Sequence, residues 1–148
     1  MLPKRKGFAN RLRTGRWSEV GQIYLVTAVT RERRTVFADF ASARSLIGVL
    51  HAESTLGCCT TLAFVVMPDH LHWLLRLEQG SLSALVGRVK SISAKRLGGP
   101  VWQAGFHDRA LRREEDLQSM ARYVVANPLR AGLVTRVGLY PHWDAIWV

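Results

Sequence analysis

The sequence predicts an α+β fold, an antiparallel β-sheet with helices packed mainly on one face. Three observations predict it. Short β-branched and aromatic runs alternate with stretches of helical apolar period. Their order along the chain is β-α-β-β-α-β-α. The two central strands are separated only by Pro68-Asp69, a turn signal too short for anything but an antiparallel return.

Each element has its own local reason. Residues 1–20 hold six basic residues before the first acid, Glu19, with no apolar period, and read as a basic arm that orders on a partner; residues 21–148 read as a single domain. After Gln22 the run Ile-Tyr-Leu-Val-Thr-Ala-Val-Thr is a strand. Asp39 suits the cap of a helix reaching to about Ser54, with Ala43, Leu46, Ile47 and Leu50 on one face. Thr60–Met67 is almost wholly apolar, as a buried strand is, and His70–Leu77 returns beside it. Ser81 suits the cap of a helix that buries Leu82, Leu85, Val86 and Val89 and turns Arg88, Ser91 and Lys95 outward, before Gly98-Gly99-Pro100 stops it. Short strands are expected around Val101–Gln103 and Phe106–Leu111. Glu114, Glu115 and Asp116 then open a helix to about Asn127, where acids suit the helix dipole.

Charge narrows the partner. The chain has 148 residues, 21 Lys and Arg against 11 Asp and Glu, and a net charge of +10. All but four of the basic residues are arginine, whose fork matches phosphate oxygens two at a time. Nucleic acid is the favoured partner, ahead of acidic proteins or a membrane surface. No apolar stretch reaches the length of a membrane span, and the basic N-terminus lacks the apolar segment of a secretory signal. Cys58 and Cys59 are adjacent, so they make no disulfide framework, and a reducing compartment is expected.

Two constellations bear chemistry. His70 and His72 alternate on a strand, so both imidazoles leave the same face, roughly 6.5–7 Å apart at the backbone, and can converge on one metal ion. Leu71, Trp73, Leu75 and Leu77 leave the other face, which puts the histidines on an open side. Two surface histidines without a ligand are the competing reading. Asp69 and Glu78 are nearby carboxylates that the pattern does not force into a site. In the last helix Leu117, Met120, Ala121 and Val124 make an apolar stripe, while Ser119, Tyr123, Asn127 and Arg130 continue along a polar face. A tyrosine there is a candidate nucleophile, and an asparagine one turn later has an oxygen to offer a metal. From spacing alone a structural reading is the favoured one: Tyr123 straddles core and surface, and Asn127-Pro128 starts a new helix that Gly132 ends. His107, close before this helix, is a weaker metal candidate. His51 and His142 read as packing residues.

Val66-Met67-Pro68-Asp69-His70-Leu71-His72-Trp73-Leu74-Leu75 resembles the HUH motif (histidine, hydrophobic, histidine) of the single-tyrosine transposases. Ala121-Arg122-Tyr123-Val124-Val125-Ala126-Asn127-Pro128-Leu129-Arg130-Ala131-Gly132-Leu133 resembles their nucleophile helix. Within that superfamily the chain is most similar to the REP-associated tyrosine transposases, and Gly15-Arg16-Trp17-Ser18, Val101-Trp102-Gln103 and Phe106-His107-Asp108-Arg109 agree. Two departures stand out: Leu25 where the family usually has histidine, and Asp69 where it often has asparagine.

The resemblance implies a ferredoxin-like HUH endonuclease fold and a metal-dependent cut in single-stranded DNA. His70, His72 and Asn127 would hold Mg²⁺ or Mn²⁺, and Tyr123 would attack the phosphate, leaving a 5′-phosphotyrosine and a free 3′-hydroxyl for strand transfer. The implied substrate is single-stranded DNA folded into REP-like palindromic hairpins. Lys4, Arg5, Lys6, Arg11, Arg13 and Arg16 of the arm are its expected contacts, with Arg88, Lys95, Arg112 and Arg113 as further backbone contacts. A monomer is favoured and a dimer possible, since insertion-sequence relatives exchange the tyrosine helix between subunits. The cytoplasm, in association with the nucleoid, is the implied location. Two alternatives use the same residues: a domesticated, non-catalytic binder of palindromic DNA or RNA, and a phosphodiesterase in which water is the nucleophile.

Overall fold

The computed structural model describes residues 17–112 and 114–146. Ile23–Val29 forms β1, and its register is set on both sides by antiparallel neighbours. Cys59–Met67 (β2) and His70–Leu77 (β3) form the expected hairpin across Pro68-Asp69. His107–Leu111 (β4) pairs with the other side of β1. A three-residue strand, Trp143–Ala145 (β5), closes the far edge on β2. Among the described residues the sheet order is β4-β1-β3-β2-β5, antiparallel throughout.

Helices cover both faces. Phe40–Thr55 (α1) starts where Asp39 accepts a hydrogen bond from the Ser42 amide at 2.9 Å. Leu82–Arg96 (α2) starts where the Ser81 hydroxyl accepts from the Ala84 amide at 3.1 Å. Both caps are those the sequence signals. The two helices bury Leu46, Leu50, Leu82 and Leu85 against Trp73, Leu75 and Val26 on one face of the sheet. Glu114–Val125 (α3) lies on the opposite face, with Leu117, Ala121 and Val124 against Leu25, Val65, Met67 and Leu74.

The structure differs from the sequence reading at particular points. Val101–Gln103 is not a strand: Trp102 makes one bridge to Thr30 and is held by its side chain, which packs on Phe37 (ring centroids 5.4 Å apart) and donates to the Ser93 hydroxyl at 2.9 Å. Trp102 is therefore a core residue. α3 ends at Val125, short of Asn127, and Asn127–Arg130 forms a separate short helix, α4, with Pro128 in its first turn. Proline has no amide to donate and crowds the preceding turn, so α3 cannot run through it. Leu133 donates to the Pro128 carbonyl at 2.9 Å across Gly132, whose φ of +76° suits a residue without a side chain.

Of the basic arm only its last four residues, Trp17 to Val20, are described. Ser18 accepts from the Leu82 amide, and the Glu19 amide donates to the Tyr24 hydroxyl, each at 2.9 Å, so this end is tied to the body. Lys4, Arg5, Lys6, Arg11, Arg13, Arg16 and Arg113 lie outside the described residues. Among the described residues no helix is long and apolar enough to cross a membrane.

Arg88 corrects the expectation of a DNA contact. Its guanidinium is turned onto Glu53 at 3.0 Å, a carboxylate with a side chain 3% exposed, between α1 and α2. That is the face remote from the histidines. Truncation would strand a buried charge. Arg88→Met should therefore cost about 1–3 kcal/mol in a urea titration, less than a fully enclosed pair because Arg88 itself is half exposed. Adding Glu53→Leu should recover most of that loss; no recovery would mean that the pair is not the source.

Candidate active site

The site forms where β1, β3 and β4 meet α3. Thr27 of β1 pairs with His72 on one side and His107 on the other, so the three side chains form a row across one face of the sheet. The Thr27 hydroxyl lies 2.9 Å from His72 Nδ1. His70, two residues earlier on β3, shares that face, and its ring centroid is 4.8 Å from that of His72 with the planes almost perpendicular. His70 Nδ1 is 2.8 Å from the Asp69 carboxylate. An ionised carboxylate only accepts, so His70 Nδ1 is the donor, and in the neutral imidazole the lone pair is left on Nε2.

α3 brings the phenol to this row. Leu117, Ala121 and Val124 face the sheet, which leaves Tyr123 turned toward its edge, with the ring centroid 6.1 Å from that of His72. Tyr123 is 45% exposed, so the residue is open to a substrate. Asn127 closes the helix behind it: its Nδ2 donates to the carbonyls of Tyr123 (3.0 Å) and Val124 (3.1 Å). Arg130 adds a third tie, with its guanidinium carbon 4.1 Å from the Tyr123 ring centre and Nη1 donating to the Tyr123 carbonyl at 3.2 Å.

Between these elements lies a cleft of about 450 Å³ lined by Leu25, Thr27, His72, His107, Arg109 and Tyr123, among others. Next to it, sharing Arg109, Ser119 and Met120, is a second hollow that includes Arg112 and Asp116. Burial, the neighbouring His70 and the Arg130 guanidinium hold His72 down to a pKa of about 3, so it is neutral in ordinary solution. Burial would raise the Asp69 carboxyl, but hydrogen bonds from His70 and Arg33, helped by their charges, outweigh it and keep the group below its usual value.

A family model, "Transposase IS200 like", matches residues 20–126. The chain belongs to the IS200-like transposase family. A REP-associated tyrosine transposase of Escherichia coli K12 is 29% identical over 82 residues, 53% of this chain and 50% of that protein. The match thus spans about half the length of that curated relative. Two solved structures share the fold. One, a REP-associated tyrosine transposase bound to a REP hairpin, has a TM-score of 0.78 and 23% identity over 90% of this chain and 82% of its own. The other, a putative transposase of Deinococcus radiodurans R1, has a TM-score of 0.53 and 24% identity over 76% of this chain and 95% of its own.

Within this IS200-like framework, the structure brings His70, His72 and Tyr123 together. Asn127 comes with them through Tyr123, but its amide nitrogen is occupied by helix carbonyls, which leaves Oδ1 as the atom available to a metal. The donor set fits a divalent ion: two perpendicular imidazoles on alternate positions of one strand, one with its tautomer fixed for Nε2 ligation, and an amide oxygen. Among the described residues no three His, Cys, Asp or Glu side chains gather as a metal site, so any third protein donor must be of another type. Arg112 is exposed beside the cleft, and Lys95 is exposed in the last turn of α2 on the other face.

Sequence reasoning missed Thr27, the hold of Arg130 on Tyr123, and Arg109. Thr27 carried a signal, the one threonine in an otherwise aromatic and aliphatic strand. Arg109 had little beyond charge, while Arg130 already shared the polar face of Tyr123. His107 proves closer to the chemistry than its strand suggested: it lines the cleft, and its Nδ1 is buried without a hydrogen-bond partner.

The depressed pKa of His72 has a stability consequence. In the unfolded chain this imidazole takes up a proton near pH 6.5, and in the folded protein only near pH 3. The unfolded state binds more protons in that window, so the contribution is whole above pH 6.5 and is lost as the pH falls toward 3. Metal-free protein should lose up to about 1.4 kcal/mol per pH unit from this group. His72→Gln should flatten that part of the stability curve, measured by denaturant titration at each pH; parallel curves would contradict a buried neutral imidazole.

Proposed function

We propose that this chain is a DNA strand transferase that nicks and rejoins single-stranded DNA at hairpins through a 5′-phosphotyrosine. The observation that carries the reading is the approach of the Tyr123 ring to within 6.1 Å of His72, whose own ring lies 4.8 Å from that of His70. Family membership supports it, as does the likeness to a REP-associated tyrosine transposase bound to a REP hairpin.

The chain's own residues supply most of the chemistry. The phenol of Tyr123 gives up its proton and its oxygen bonds to phosphorus, while the bond from phosphorus to the 3′ oxygen breaks and that oxygen takes a proton. One phosphodiester is exchanged for another, so an incoming 3′-hydroxyl can reverse the step without ATP. Arg130, over the ring and bonded to the Tyr123 carbonyl, holds the phenol in place. A divalent ion, Mg²⁺ or Mn²⁺, held by His70, His72 and Asn127 Oδ1, would supply positive charge for the scissile phosphate. Arg109 and Arg112 flank the cleft and suit the phosphates on either side of the cut. Tyr123 meets the histidines of its own chain, which supports a monomer acting in cis.

Incubation with hairpin-bearing single-stranded DNA and Mn²⁺ should give a covalent protein–DNA adduct on a denaturing gel. Tyr123→Phe should abolish it, and chelator should suppress it in the wild type. An equal adduct from Tyr123→Phe would remove the assigned nucleophile, and cleavage without any adduct would point to water instead.

Binding should carry its own signature. Arg109→Ala and Arg112→Ala should each weaken hairpin binding, and each should lower the slope of log K against log salt by about 0.7, as expected for one phosphate contact on a single strand. A slope unchanged in both variants would place the DNA elsewhere.

A further inference from the structure

Between β1 and α1 the chain makes a short turn whose geometry is unusual for its sequence. Glu32 and Arg33 both have positive φ, 55° and 52°, in a region that side-chain-bearing residues seldom occupy. Such a conformation persists only where surrounding contacts hold it, and it is concentrated at functional positions. Here the contacts lead to one place. The amide of Thr30 donates to the Asp69 carbonyl at 3.0 Å, and its hydroxyl lies between the carbonyls of Arg34 (2.7 Å) and Asp69 (3.1 Å). The Phe37 amide donates to the Pro68 carbonyl at 2.9 Å. The Arg33 guanidinium donates through Nε to Asp69 Oδ2 at 3.0 Å, while Asp69 Oδ1 holds His70 Nδ1 at 2.8 Å. Both carboxylate oxygens are thus committed, one to each neighbour.

We propose that Arg33 and Asp69 are positioning residues: the strained turn holds Arg33 on Asp69, and Asp69 fixes the tautomer and ring direction of His70 so that Nε2 is aimed at the metal. The inference rests on the metal-dependent reading given above. It concerns this chain's own carboxylate, at the position where the resemblance led us to expect asparagine. A carboxylate bonded to the far nitrogen of a ligating histidine orients the ring and strengthens it as a donor. An unrestrained aspartate next to a histidine can rotate away, and Arg33, anchored by the turn, removes that freedom. Arg33 is itself 61% exposed, so its exchange leaves the core untouched.

The test uses the full chain without DNA and Mn²⁺ alone as the probe, with free Mn²⁺ followed by electron paramagnetic resonance. Asp69→Ala should weaken Mn²⁺ binding by about 10–100-fold, the usual effect of losing such a partner. Asp69→Asn, which keeps an acceptor oxygen, should recover most of the affinity. Arg33→Gln should weaken binding measurably, with Arg33→Lys recovering part of it. Nitrogen NMR should show the proton of His70 on Nδ1 in the wild type and in Asp69→Asn, and a mixture of tautomers in Asp69→Ala; a merely structural role for Asp69 would leave that spectrum unchanged. His70→Ala is the reference. If it loses Mn²⁺ binding while Asp69→Ala and Arg33→Gln bind as the wild type does, the relay is wrong and the metal site stands. If the wild type binds no better than His70→Ala, the metal reading fails and takes the relay with it.

Discussion

Everything in the site depends on α3 burying its apolar stripe on the second face of the sheet. Leu117, Ala121 and Val124 are spaced to fall on one side of a helix, and they meet Leu25, Val65, Met67 and Leu74. Once that contact is made, the angular position of Tyr123 is fixed, and with it the approach to His72. A phenol late in the chain and imidazoles from its middle are brought together by ordinary hydrophobic packing, without any bond between them. Asn127 then finishes the helix, so that Tyr123 sits in a last turn whose carbonyls are already satisfied.

That packing also explains where the sequence reading of β3 was incomplete. Alternation from His70 and His72 suggested an open face, yet Leu74 has the same parity and is wholly buried. Leu74 was the legible signal that something covers this face, and the apolar stripe of α3 was the element to cover it. The covering matters chemically. It desolvates His72 enough to keep it neutral, and a neutral imidazole is the form that binds a metal.

The rest of the fold divides by physical cause. Helix starts were legible because a capping side chain acts on an amide three residues away, as Asp39 and Ser81 do. The β2–β3 hairpin was legible because its turn is local. β5 was not, since three residues of Trp-Asp-Ala carry no period and are strands only by pairing with β2. Arg88 was misread for a related reason: on an outward helical position its charge suggests a phosphate partner, and nothing local announces that Glu53 is buried beside it. In the site, His70, His72 and Tyr123 were legible as residue types at a spacing. The supporting contacts of Thr27 and Arg33 were not, because each reaches a partner that only the tertiary fold supplies, whereas Arg130 reaches Tyr123 only seven residues back, across the break between α3 and α4.

Arg130 shows how the same side chain serves structure and electrostatics at once. It is tied to the carbonyl of Tyr123 and lies over that residue's ring, so it moves with the nucleophile. Its charge also contributes to the low pKa of His72. One cation therefore steadies the ring of the nucleophile and favours the uncharged form of His72, the form that binds a metal ion. An anionic substrate entering this cleft meets the guanidinium of Arg109, the neutral imidazole of His72 and the exposed side chain of Tyr123.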